Sequence, residues 1–152
     1  MWTQAMLRCQ EFYLGWRYGD IDPTATTGKR GEQAAARLLR QQGLVIVAES
    51  ESDRGGEIDL IAVDRHSRTV VFIEVKTHSS LKPGHPAERV DNDKQDRLTR
   101  AAMRYLRRKQ LLGVPVRFDV VAVWWPSEQT TPKRIEHYES AFDATGRHQL
   151  FS

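Results

Sequence analysis

Two carboxylates and a lysine interrupt otherwise apolar segments of this chain: Asp59 within Glu57-Ile58-Asp59-Leu60-Ile61-Ala62-Val63, and Glu74 and Lys76 within Val70-Val71-Phe72-Ile73-Glu74-Val75-Lys76. Both segments read as strands, and period-two alternation puts Val70, Phe72, Glu74 and Lys76 on one face of the second. In the first, Glu57, Asp59, Ile61 and Val63 share a face. A turn over 64–69 makes a hairpin in which Val63 meets Val70, Ile61 meets Phe72, Asp59 meets Glu74 and Glu57 meets Lys76. Like charges placed directly opposite have Cβ atoms about 5 Å apart and destabilise the pair. At an effective dielectric of about 20 the repulsion is on the order of 3 kcal/mol, a large fraction of a small domain's stability. A divalent cation offsets it, and hard oxygen donors at this spacing suit Mg²⁺ or Mn²⁺. Lys76, one step along the same face, adds a positive charge beside the metal. Spacing alone leaves another reading open, with Glu57–Lys76 a surface ion pair and Asp59 and Glu74 at a sheet rim or one of them protonated. A register slip of one residue also sends the carboxylates to opposite faces.

The surrounding elements must position these groups. A helix is expected over about 28–42, with Thr27 as N-cap, the Ala34-Ala35-Ala36 run favouring helix and Gly43 as the stop. Its apolar stripe of Ala35, Ala36 and Leu39 steps back onto Glu32, which is expected to reach the carboxylate pair from a helix covering that face. Glu32 taken alone serves equally as a first-turn acid on the helix dipole. Further strands are expected over 44–48 and 116–125, a loop over 77–91, a second helix over 92–112 with Leu98, Ala101, Ala102, Tyr105 and Leu112 apolar, and a short element near 134–138. The strand-helix-strand unit 70–125 implies a crossover, making strand 116–125 parallel to strand 70–76. The expected fold is α/β, a central mixed β-sheet flanked by helices in the order α-β-β-β-α-β. Residues 27–140 form that domain. An extension over 1–26, rich in aromatics (Trp2, Phe12, Tyr13, Trp16, Tyr18), is expected to pack on it, and 141–152 is a tail.

With 152 residues, 39% hydrophobic and 28% charged, the chain suits one globular domain. Its net charge of +3 is unevenly placed. Between Lys94 and Arg117 eight Lys or Arg residues face one acid, Asp96. Arg97, Arg100, Arg104, Arg107 and Arg108 recur at spacings of three, four, three and one, a stripe suited to gripping the phosphates of DNA without reading sequence, with Lys94, Arg97, Arg100, Arg104 and Arg108 the candidate contacts. A solvated helix face is the alternative. A lone cysteine, Cys9, excludes an internal disulfide, and no Cys/His pattern offers zinc ligands. The apolar run 120–125 is far too short to span a membrane, and the N-terminus lacks a signal-peptide core, so a cytoplasmic protein with no membrane partner is expected. His78, His85, His137 and His148 are read as surface or loop residues, Asp119 as a partner of Arg117 or the basic helix, and Trp124 and Trp125 as packing on opposite faces of the sheet.

The string Gly56-Glu57-Ile58-Asp59-Leu60-Ile61-Ala62 followed by Phe72-Ile73-Glu74-Val75-Lys76, with Gly31-Glu32-x-x-Ala35 upstream and Lys94-Gln95 downstream, resembles the YraN-type family of bacterial proteins. That family lies in the PD-(D/E)xK nuclease-like superfamily, akin to archaeal Holliday-junction resolvases. The likeness covers about residues 27–125, and His78 departs from it where relatives often carry Arg. The resemblance implies a restriction-endonuclease-like core and metal-dependent hydrolysis of DNA phosphodiesters, with branched DNA a candidate substrate. It implies Mg²⁺ or Mn²⁺ at Asp59, Glu74 and the Val75 carbonyl. Lys76 would position or activate water and stabilise phosphate charge, and Glu32 would be an outer carboxylate. A homodimer is compatible with this reading. Two rivals stay open: a nucleic-acid-binding module of the same fold without turnover, and a protein-interaction adaptor using the aromatic N-terminus.

Overall fold

The computed structural model describes residues 3–80 and 90–146, and His85, His148, Trp2 and most of the expected loop 77–91 lie outside those residues. Helix α1 (Gln4–Tyr18) is followed by α2 (Thr27–Gln41), then β1 (Val45–Asp53), β2 (Gly56–Asp64), β3 (Thr69–His78), α3 (Asn92–Arg108), β4 (Val116–Trp124) and β5 (Arg134–Phe142). The strands lie side by side in chain order. β3 and β4 are parallel and the other pairs antiparallel, which is the expected mixed sheet carrying one added helix and one added edge strand.

Each helix buries one stripe on one face of the sheet. Ala34, Ala35, Ala36 and Leu39 of α2 pack on Leu60, Ala62, Val71, Ile73, Val121, Val123 and Trp125. Leu98, Ala101, Ala102, Tyr105 and Leu106 of α3 pack on Ile61, Phe72, Phe118 and Val120 of the other face. Alternation along β3 therefore points Phe72 and Glu74 toward α3, and α2 covers the opposite face from the one expected for Glu32. The choice follows from residue size: the three consecutive alanines of α2 let it lie close on the flat, β-branched face, while the aromatics Phe72 and Phe118 need the longer side chains of α3.

Two helix ends differ from the sequence reading. The N-cap of α2 is Thr26, whose hydroxyl accepts from the Lys29 N–H. α3 stops at Arg108, because Gln110 and Gly113 take positive φ (57° and 91°), and this leaves Leu112 half exposed instead of in the core. The N-terminal aromatics depart further. α1 is a helix with a single buried residue, Gly15, and Phe12 and Trp16 are 76% and 75% exposed. The expected packing fails because α2 presents arginines to α1. Arg37 pairs with Glu11 and donates to the Gly19 carbonyl, and Arg40 donates to the Tyr18 carbonyl, so the contact is polar and the aromatic side is left outward.

Candidate active site

The β2–β3 ladder has the expected register from Asp64↔Thr69 to Leu60↔Ile73 and then ends. Asp59 and Glu74 thus lie one step beyond the last ladder pair. The Asp59 carboxylate takes the place of a strand partner, with Oδ2 accepting from the Val75 N–H at 2.7 Å. Leaving the ladder also breaks alternation in β2. Ile58 joins Ile61 in the core beneath α3, although strict period two would send it to the other face. The pairing of Glu57 with Lys76 does not form: Lys76 Nζ is 3.2 Å from Glu74 Oε1, and Glu57 pairs with Ser52 across β1.

Glu74 is the most constrained group. Its side chain is 5% exposed, and Oε1 has two ammonium groups at 3.2 Å, those of Lys76 and Lys94. Its other oxygen, Oε2, is buried without a hydrogen-bond partner among the described residues. Burial first, and the charge of Glu74 second, push the Asp59 carboxyl up to about 7, against the stabilising Val75 N–H. Glu32 adds to that push from the end of α2, but touches neither carboxylate within hydrogen-bond range. Its Oε2 accepts from Lys29 Nζ at 2.9 Å and from Ser50 Oγ at 3.3 Å. Gly31 lets the helix come this near, because a Cβ there would lie 1.9 Å from Thr77 Oγ1 of β3.

The donors fit a hard divalent cation. A buried carboxylate oxygen with no partner among the described residues lies beside a second carboxylate raised by burial and then by like charge, the situation a cation relieves. Among the described residues no three His, Cys, Asp or Glu side chains are arranged for a metal, so a cation here would have two side-chain carboxylates from the protein. Water or substrate would complete the coordination.

Comparison with known proteins bears on the same segment, since residues 31–123 match the family model described as uncharacterised protein family UPF0102. The chain belongs to the UPF0102 family. This is the YraN-type family of the sequence resemblance. A UPF0102 protein of Rhodopirellula baltica is 62% identical over 139 residues, covering 91% of this chain and 83% of that protein. One of Syntrophus aciditrophicus is 44% identical over 122 residues, covering 80% and 92%. One of Syntrophotalea carbinolica is 39% identical over 119 residues, covering 78% and 93%.

In this UPF0102 chain the basic stripe of α3 divides into three parts. Lys94 turns inward to Glu74. Arg97 and Arg100 are exposed, and Arg97 lines a pocket of about 140 Å³ with Gly56, Glu57, Asp59, Lys94 and Leu98. Arg104 and Arg108 are tied to the β1–β2 hairpin: Arg104 donates to both oxygens of Asp53 at 2.5 and 2.9 Å, and Arg108 donates to Glu51 at 2.9 Å. Gly55 accommodates this clamp, since a Cβ there would come within 2.3 Å of the Arg104 guanidinium. The positive face available to a partner is thus shorter than the sequence stripe.

A second polar cluster lies on the α2 side of the sheet. Asp119 is fully buried and accepts from Arg117 Nε at 3.0 Å and the Ser140 N–H at 2.9 Å, with His137 Nε2 at 2.8 Å. The pairing with Arg117 matches the sequence reading. His137 does not, because its side chain is 5% exposed and bridges Asp119 to Gln42. Its position inside a strand was the available signal. Trp124 and Trp125 are both buried, as expected. No helix among the described residues is long and apolar enough to cross a membrane.

Proposed function

We propose that this chain is a metal-dependent phosphodiesterase acting on DNA, an endonuclease of the PD-(D/E)xK type. The observation that carries the reading is Glu74: a buried carboxylate at a strand end with one oxygen held by two ammonium groups, the other unpartnered, and Asp59 next to it. Asp59, Glu74 Oε2 and the Val75 carbonyl would hold Mg²⁺ or Mn²⁺, which when bound supplies a Lewis acid and lowers the pKa of coordinated water. The remaining work belongs to the chain. Lys76, kept near the reacting centre by Glu74, stabilises charge developing on the phosphate and orients water. Lys94 and Arg97 bind the phosphate group in the pocket beside Asp59, and Arg100 contacts the DNA backbone farther along α3. Glu32, paired with Lys29, is an outer carboxylate whose charge adds to the upward push on Asp59 without joining the metal ligands.

The test is cleavage of duplex, nicked, flapped and four-way DNA with Mg²⁺ and with Mn²⁺. The wild type is expected to cut at least one substrate with either metal, and Asp59→Asn and Lys76→Ala to cut none while keeping a native circular dichroism spectrum. DNA that is bound and left intact under every condition would turn the assignment to a binding module. No binding even at low salt would reject both.

A further inference from the structure

The pocket beside Asp59 has walls of opposite sign. Glu57 and Asp59 line it from β2, and Lys94 and Arg97 from α3. Lys94 belongs to this pocket and to Glu74 at once, with Nζ 3.2 Å from Oε1 and a side chain 31% exposed. Lys76 makes the same contact from Glu74's own strand but is not a wall of the pocket. The two lysine side chains are similarly exposed, 31% and 29%, and of their ammonium groups on Glu74 that of Lys94 is the one standing in the pocket wall.

We infer that Lys94 is an exchangeable counterion, neutralising Glu74 in the free protein and passing to a phosphate oxygen when a phosphodiester enters the pocket, so that phosphate and divalent-cation binding strengthen each other. The inference rests on the phosphodiesterase reading and deepens it. A carboxylate with two ammonium groups on one oxygen attracts a divalent cation weakly, because the nearby positive charge opposes it in a poorly screened environment. Withdrawing one ammonium restores the attraction. Lysine suits the exchange: a compact charge on a flexible four-carbon stem can leave one oxygen for another while its helix stays in place. The helix is held in place by the packing of Leu98, Ala101 and Ala102 on the sheet and by the Arg104–Asp53 clamp nearly three turns beyond Lys94. Mutual strengthening is then reciprocal, the metal raising affinity for the phosphodiester by the factor by which the phosphodiester raises affinity for the metal. A nuclease built so holds its metal firmly only when DNA is present.

The test is titration of Mn²⁺, with free ion read by electron paramagnetic resonance, into the full chain and its Lys94→Gln, Lys94→Arg and Glu74→Gln variants, each with and without a short duplex DNA at low salt. Without DNA, Lys94→Gln is expected to bind Mn²⁺ about tenfold more tightly than wild type, because a competing positive charge is gone. Duplex should tighten Mn²⁺ binding in wild type and Lys94→Arg, and leave Lys94→Gln nearly unchanged. If Glu74→Gln abolishes Mn²⁺ binding but Lys94→Gln binds Mn²⁺ no more tightly than wild type, or gains as much from duplex, the counterion inference is overturned and the metal site stands. If neither wild type nor Lys94→Gln binds Mn²⁺, the phosphodiesterase reading falls with it.

Discussion

Replacing Asp59 by Asn should stabilise the metal-free protein, in a pH-dependent manner that the site's electrostatics dictate. Asn keeps an oxygen to accept the Val75 N–H at the 2.7 Å contact and removes the ionisable group. In the folded chain the Asp59 carboxyl is raised from 3.8 to about 7, chiefly by burial and then by Glu74. A carboxyl raised on folding leaves stability intact below its unfolded value. As pH climbs from about 4, the unfolded chain loses the proton while the folded chain keeps it, so stability falls until pH passes about 7 and then levels. At about 1.4 kcal/mol per pH unit the full loss is at most on the order of 4 kcal/mol, and a loss of about 2–4 kcal/mol is expected. For a chain of this size each kcal/mol shifts Tm by about 2–4 °C, so Asp59→Asn should melt roughly 5–15 °C above wild type at pH 8. The gap should close near pH 4. Adding Mg²⁺ should raise the Tm of wild type and not of the variant, by mass action on the folded state. Thermal melts from pH 4 to 8 with chelator and with Mg²⁺ decide it. A gap independent of pH, or a variant less stable than wild type at pH 8, would refute the account of a desolvated carboxylate repelled by its neighbour.

Other consequences are quicker to test. Arg104→Ala removes a partly exposed bidentate pair with Asp53 and should cost about 0.5–1 kcal/mol. Arg104, first by its side-chain hydrogen bond, holds Asp53 down at about 2, so this difference should be full above about pH 4 and vanish as pH falls through about 2, which urea melts across that range would read. Gly31→Ala drives a Cβ into Thr77 and should cost about 1–3 kcal/mol. It should also lower DNA cleavage, since α2 must back away from the strand that carries Lys76; unchanged melting would contradict the tight approach. Charge reversal at Arg97 and Arg100 should weaken DNA binding and flatten the slope of log affinity against log salt by about 2, whereas reversal at Arg104 should chiefly lower Tm. Asp119→Ala takes the shared buried acceptor from Arg117, His137 and the Ser140 N–H, with Asp64 still 3.4 Å from Arg117, and should cost about 2–4 kcal/mol, visible as a large fall in Tm.

What was legible in the sequence was whatever periodicity and chain direction control. Alternation in 70–76 and the turn at 64–69 set a register that the structure keeps pair by pair as far as Leu60↔Ile73, and the crossover rule correctly made β4 parallel to β3. Alternation failed at Asp59, where the strand abandons its ladder and a side chain takes the backbone's donor. Such a break costs local pairing and is found where a site needs it. The side of the sheet taken by α2 was also illegible, because the stripe of Ala35, Ala36 and Leu39 shows which residues are buried but not against which face. For the same reason the sequence made Glu32 a closer neighbour of the carboxylate pair than its contacts with Lys29 and Ser50 make it.

Charge was the most misleading signal when read along one helix. The stripe from Lys94 to Arg108 looks uniform in sequence, yet its partners come from β1 and β3, segments distant in the chain. Glu51 and Asp53 engage its C-terminal end, where β1 returns over α3, and Glu74 engages its N-terminal end. Among the described residues Arg97 and Arg100 in the middle, with Arg107 one heptad beyond Arg100, are left outward, and Arg97 lines the pocket that opens on Asp59. Nonspecific phosphate affinity scales with the number of cations that release counterions. On the proposed reading a helix with three such arginines should therefore bind DNA weakly and with a shallow salt dependence, and productive binding would draw also on Lys94 and on a cation held at the site. Recognition and catalysis are on this account the same event, placed where α3 meets the ends of β2 and β3.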